Sequence, residues 1–304
     1  MSSLSTPATG GPEPLLLLLD PAARQSDGES VRIAKDVLSG GTDVKVAYPE
    51  TPSELDRMLS HRGRRRPVVI GSDLALQRVL QALYRQRELG TDPVGLVPVG
   101  RPEEVAAARG LGVPVAPVAA ARAVLAGTVR KLDLLVDDGG GVALGGVRIS
   151  GSGIRRPAGR PSGWRSLWAK LAAAEQGTVL TPERIARTGA AGRAARAEPG
   201  LGEPSSRLRV EADGRLLADV HRPVRVVQVT LPAGEGVMEI VVRAPGALLR
   251  ARAASVSVAG RGFGYEADGH PVGPVRARTW TVHPGCWGLL LPADRPSRAE
   301  RAPG

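Results

Sequence analysis

Over roughly its first 110 residues the chain repeats one pattern: a short apolar run, a turn marked by Gly, Pro or Asp, then apolar residues at helical spacing. The runs are 15–19, 43–47, 68–70 and 94–97. Between them, 29–38 places Val31, Ala34, Val37 and Leu38 on one helical face. Segment 53–59 reads as a helix capped by Ser53, 74–87 carries Leu76, Val79, Leu80 and Leu83 on one face, and 103–108 reads as a further helix. Strands alternating with helices at this spacing predict a parallel, doubly wound sheet. Ligands of such a sheet sit beyond the carboxyl ends of its strands, where 71–73 and 98–102 fall.

From about residue 131 the pattern changes. Segments 132–136, 142–149, 208–212, 215–219, 224–230, 237–242 and 254–258 are short and rich in β-formers. Asp213-Gly214 and Asp268-Gly269 are hairpin-type turns, so an antiparallel sandwich or curled sheet is expected. An Arg-, Gly- and Ala-rich insertion spans about 151–205. Within it, 163–174 sets Trp164, Leu167, Trp168 and Leu171 on one helical face, flanked by Arg165 and Lys170. That face suits either packing against the protein or a membrane interface. Trp280 and Trp287 read as core.

Hydrophobic residues make up 42% of the chain but aromatics only 3%, so the core must rest on Val, Leu, Ala and Ile. The formal net charge of +11 comes almost wholly from arginine and favours anionic partners: nucleotide phosphates, lipid headgroups or nucleic acid. Arg is abundant together with Ala, Gly and Pro, so compositional bias also accounts for it. No nucleic-acid-binding motif accompanies the charge, which sets that class aside. The lone Cys286 excludes an intramolecular disulfide framework, and no Cys/His spacing matches a zinc site. The leucine run is too short to span a membrane, and no basic residue precedes it as in a signal peptide. A soluble cytoplasmic protein, able to touch a membrane surface, is expected.

The stretch VVIGSDLALQRVLQAL (68–83) joins a strand, a glycine turn and a helix N-terminus, the usual backbone cradle for phosphate. Gly71 reads either as a phosphate contact or as a tight strand-to-helix corner. Asp73 reads as a metal ligand or as the cap of helix 74–87. Five stretches in order, LLLLLDPAARQSDG (15–28), 68–83, VGLVPVGRPEEVAAARGLGVP (94–114), AVLAGTVRKLDLL (123–135) and GRGFGYEADGHPVGP (260–274), resemble the diacylglycerol kinase catalytic-domain family of lipid and sphingosine kinases.

The resemblance implies a Rossmann-like nucleotide domain (14–130) and an antiparallel β-sandwich domain (131–292); outside it, 1–13, rich in Ser, Thr, Pro and Gly, and 293–304 read as disordered tails. It implies transfer of the ATP γ-phosphate to a lipid hydroxyl, with magnesium, in a cleft between domains. Asp20, Gly71, Ser72, Asp73, Gly100 and Arg101 would surround the nucleotide, Asp73 and Asp268 would hold the metal, and Asp73, Asp268 and His270 would be catalytic. The partner implied is a lipid substrate or an anionic membrane surface.

The family pattern is also altered. Ser72 and Leu74 replace two glycines of Gly-Gly-Asp-Gly-Thr, Ala75 its Thr, and Gln77 and Arg78 an Asn and a Glu on the helix beyond. In the second loop Arg101 to Glu104 replace Thr, Gly, Asn and Asp; Asp20 replaces the opening Asn, and His270 the glutamate base. A leucine at position 74 puts a side chain where backbone would approach phosphate. Two readings follow: an ATP-dependent lipid kinase, or a catalytically inactive kinase fold that binds lipid or a protein partner.

Overall fold

The computed structural model describes residues 13–151 and 205–293, so the helix read at 163–174 lies outside the described residues. The described chain forms two compact units. One holds the residues up to Leu132 together with those from Gly285 on, and the other spans Asp133–Pro284.

Five consecutive leucines form β1 (Leu15–Leu19), each 2% exposed or less. A strand covered on both faces needs no alternation, which is why this run reads as uniformly apolar. Strands β2 (Val44–Ala47), β3 (Arg66–Gly71) and β4 (Gly95–Pro98) join it in a parallel sheet of order β2-β1-β3-β4. Leu15, Leu17 and Leu19 pack with residues of α1 (Pro21–Ser26), α2 (Gly28–Gly41) and α6 (Pro117–Ala126). Helices α3 (Pro52–Ser60) and α4 (Asp73–Arg85) pack together on the opposite face, and the short α5 (Ala106–Gly110) follows β4. The sheet is therefore doubly wound, and its order reverses between β1 and β3, the position where such sheets hold ligands.

Two helix starts differ from the sequence reading. Thr51, not Ser53, caps α3: its hydroxyl accepts from the Glu54 N–H while Glu54 accepts back from the Thr51 N–H, a reciprocal capping box with Pro52 in the first turn. Ser72 caps α4, its Oγ accepting from the Ala75 N–H, so Asp73 is released for another partner. The helix expected over 103–108 begins only at Ala106, because 101–104 close a turn in which the Glu104 N–H donates to the Arg101 carbonyl.

The remaining strands are β5 (Thr128–Asp137), β6 (Val142–Ala143), β7 (Gly146–Ser150), β8 (Leu208–Ala212), β9 (Arg215–Ala218), β10 (Val226–Thr230), β11 (Met238–Ala244), β12 (Ala247–Ala253), β13 (Ser255–Ala267) and β14 (His270–Leu291). They form an antiparallel, sandwich-type assembly in which β8 and β7 pair with successive parts of β13. Two register shifts in β13, between Ala259 and Tyr265, let one strand serve both neighbours. Both Asp-Gly turns are formed as read: Asp213 and Gly214 have φ 46° and 78°, Asp268 and Gly269 49° and 84°. Positive φ at both central positions matches the twist of a two-residue hairpin. The core of this unit is aliphatic around Phe263, Tyr265 and Trp280, the last two in edge-to-face contact at 5.1 Å. Trp287 is buried too, in the end of β14 that belongs to the first unit, where Leu289 bridges Val94.

Candidate functional site

At the switch point β1 ends in Asp20 and β3 ends in Gly71-Ser72, tied by the Asp20 N–H donating to the Ile70 carbonyl at 3.0 Å. The Asp20 carboxylate caps α1 through the Ala22 N–H (3.1 Å) and accepts from the Ser72 hydroxyl at 2.9 Å. A Cβ built on Gly71 would lie 2.4 Å from the Asp20 Cβ. The glycine is therefore required by the Asp20 side chain pressed against it, and the corner reading has a direct physical cause.

Asp73 reaches across to α5. Its two carboxylate oxygens accept from the Ala107 N–H (2.6 Å) and the Ala108 N–H (2.9 Å), while its own N–H donates to the Glu104 carbonyl (2.8 Å). It caps a helix, but one that starts some thirty residues further on. The second loop closes on itself. Gly100 takes φ +151°, a conformation reserved for glycine, and the Glu104 carboxylate accepts from the Arg101 N–H at 2.9 Å and from its guanidinium at 2.8 and 3.0 Å. The Arg101 amide, with its side chain, holds Glu104 below the usual carboxylate range. Glu104 thus occupies the loop donors an anion would use, a role the sequence reading did not assign.

Beside these loops lies a cavity of about 300 Å³, at the carboxyl ends of β1 and β3 and the start of α3. Leu18, Leu55, Val69 and Val79 line it as apolar wall, and Asp20, Glu50, Arg78 and Arg85 supply its charged groups. Arg85 is held by Asp56 at 2.8 and 3.0 Å; Arg78 is exposed and forms no ion pair among the described residues. The cavity combines an apolar wall with charged groups of both signs. Its sequence signals were weak: alternate leucines of an apolar strand and one arginine on a helix.

Asp268 and His270 belong to the second unit, on the β13–β14 hairpin, so the eight residues singled out from the sequence divide between the two units. The Asp268 carboxylate turns inward and accepts from the N–H groups of Leu144 (2.6 Å), Gly145 (2.8 Å) and Gly146 (3.1 Å). Burial pushes this carboxyl up to about 6 although the three amides pull the other way. His270 pairs with Ala267 across the turn. Nearby, Asp137 accepts from the Gly139 and Gly141 N–H groups and from the Tyr265 hydroxyl, whose pKa burial raises.

Asp73 and Asp268 each accept from backbone N–H groups within their own unit, and among the described residues no three His, Cys, Asp or Glu side chains cluster as a metal-binding set. In and beside the two loops Asp20 takes the Ser72 hydroxyl, Asp73 the Ala107 N–H and Glu104 the Arg101 N–H, donors of the kind a glycine-rich cradle offers to phosphate.

A doubly wound parallel sheet with its loops gathered at the switch point, followed by an antiparallel sandwich, defines a two-unit α/β-plus-β class. Solved structures give the class its particular form. A chain from Bacillus anthracis str. Sterne assigned as a diacylglycerol kinase superposes with TM-score 0.67 at 13% identity, covering 95% of this chain and 98% of its own. A second so assigned, from the same source, gives 0.62 at 14% identity, with 93% and 98% covered. A third, a diacylglycerol kinase of that strain, gives 0.58 at 13%, again with 93% and 98% covered. The chain therefore has the diacylglycerol kinase fold, as the resemblance in its sequence implied. No protein-family model and no curated protein matches the sequence.

Proposed function

We infer that this protein is a diacylglycerol-kinase fold without phosphoryl-transfer activity, which binds an amphipathic anionic ligand, such as a small lipid, in the cavity of its first unit. The observation that carries this reading is the filling of the loop donors from within: Asp73 takes the Ala107 and Ala108 amides, and Glu104 takes the Arg101 amide. Phosphoryl transfer depends on backbone donors and metal held around the phosphates, and the amides of Arg101, Ala107 and Ala108 are taken here by internal carboxylates. Arg78 at the rim of an apolar cavity supplies the charge for the ligand's acidic end. ATP-dependent lipid phosphorylation, the other reading of the sequence, keeps the support of the fold likeness alone.

The test is transfer of label from γ-labelled ATP, with magnesium, to a total lipid extract. The expected result is no labelled lipid above the protein-free reaction. Labelled lipid that disappears with Asp73→Asn would overturn the reading and restore the kinase.

A further inference from the structure

A second cavity, of about 220 Å³, lies away from the switch-point loops and is lined by Leu16, Lys45, Ala47, Arg57, Met58 and His61. Its construction follows from two periodicities. In the edge strand β2, Lys45 and Ala47 share a face, and Lys45 sits in register with Leu16 of β1. In α3, Arg57 and the C-cap His61 are four residues apart and share a face as well. The sheet thus contributes one cation and an apolar floor, and the helix contributes Arg57 and an imidazole.

All three basic side chains are exposed, and among the described residues none forms an ion pair. The acidic side chains on the neighbouring elements are engaged elsewhere. Asp43 holds Arg65 at 2.7 Å, Asp56 holds Arg85, and Glu54 accepts from the Glu50 and Thr51 N–H groups. His61 is oriented by its Nδ1–H, which donates to the Arg57 carbonyl at 2.8 Å, so the N–H that an anion would meet is the Nε2–H of the imidazolium form. Like charges brought to one cavity without a counter-charge repel one another, and a multiply charged anion removes that repulsion.

We propose that the Lys45–Arg57–His61 cavity is a binding site for a phosphate monoester group, distinct from the switch-point cavity. A dianion with several oxygens matches a point-charge lysine, a forked guanidinium and an imidazole together, and the floor of Leu16, Ala47 and Met58 accepts the apolar part of whatever carries the phosphate. The carrier is either a soluble phosphate ester or a phosphatidic-acid-type headgroup.

The experiment has two arms on the full chain. Inorganic phosphate is titrated calorimetrically, and co-sedimentation is measured with phosphatidylcholine vesicles containing or lacking phosphatidic acid. Lys45→Gln and Arg57→Gln are compared with Arg122→Gln, an exposed α6 variant with the same change in charge. Loss of one charge-assisted contact should weaken binding about tenfold in either cavity variant and leave Arg122→Gln unchanged. Saturable phosphate binding with that pattern supports the site and a soluble carrier. Sedimentation that requires phosphatidic acid and follows the same pattern supports the site and a lipid carrier. Equal loss in all three variants, or no binding in either arm by protein of unchanged thermal midpoint, overturns the proposal.

Discussion

Asp268 shows what one buried carboxyl does to stability. In an unfolded chain it ionises near 3.8, whereas in the fold it keeps its proton up to about 6. Between those values the native state binds more protons than the unfolded state, so stability falls as pH rises. The contribution is complete below pH about 4 and gone above about 6, amounting to about 3 kcal/mol. By denaturant unfolding the wild type should therefore lose about 3 kcal/mol relative to Asp268→Asn as pH rises across this window; a difference constant with pH would refute the assignment. Gly71 is a second residue-scale case. A methyl there meets the Asp20 Cβ at 2.4 Å, too close for a neighbour fixed to its own backbone to yield. Gly71→Ala should cost about 1–3 kcal/mol through strain, read as a lower thermal midpoint, and a midpoint equal to wild type would show that the corner relaxes.

Among the elements, α3 is held at both ends by groups the hydrophobic pattern does not reveal. At its start Thr51 and Glu54 cap one another; just past its end the buried Arg62 donates to the Leu59 carbonyl and pairs with Glu88 and Asp92 beyond α4. The pairing spans 26 and 30 residues of sequence, so the arginine fixes the exit of α3 against the connection into β4. Truncating it leaves two part-buried carboxylates without their cation. Arg62→Ala should destabilise the protein by about 2–3 kcal/mol by denaturant melt, and a loss below about 0.5 kcal/mol would show that solvent replaces the pair. The Thr-Pro-Ser-Glu signature of the first cap was legible in the sequence, but its start was read two residues late because Ser53 is also a good capping residue. The clamp was not legible at all, since nothing in a lone arginine after a helix names partners so distant.

In the molecule as a whole, acidic side chains repeatedly satisfy loop backbone. Asp20, Asp73, Glu104, Asp137, Asp213 and Asp268 each accept from one or more main-chain N–H groups. Two of them, Glu104 and Asp137, also lie against an arginine, whereas basic side chains such as Lys45 and Arg57 stand exposed in a chain of formal charge +11. The sequence by itself determined the succession of an α/β unit and a β unit, the buried leucine strand and both Asp-Gly hairpins. Those features depend on residue periodicity and on backbone preferences that act within a few positions. Only the tertiary structure decided what the site residues do. Asp73 meets amides 34 and 35 residues away, and Asp268 meets amides 122 to 124 residues away. Whether a carboxylate binds a ligand or closes a loop depends on which donors the completed fold brings within about 3 Å, and no local pattern encodes that distance.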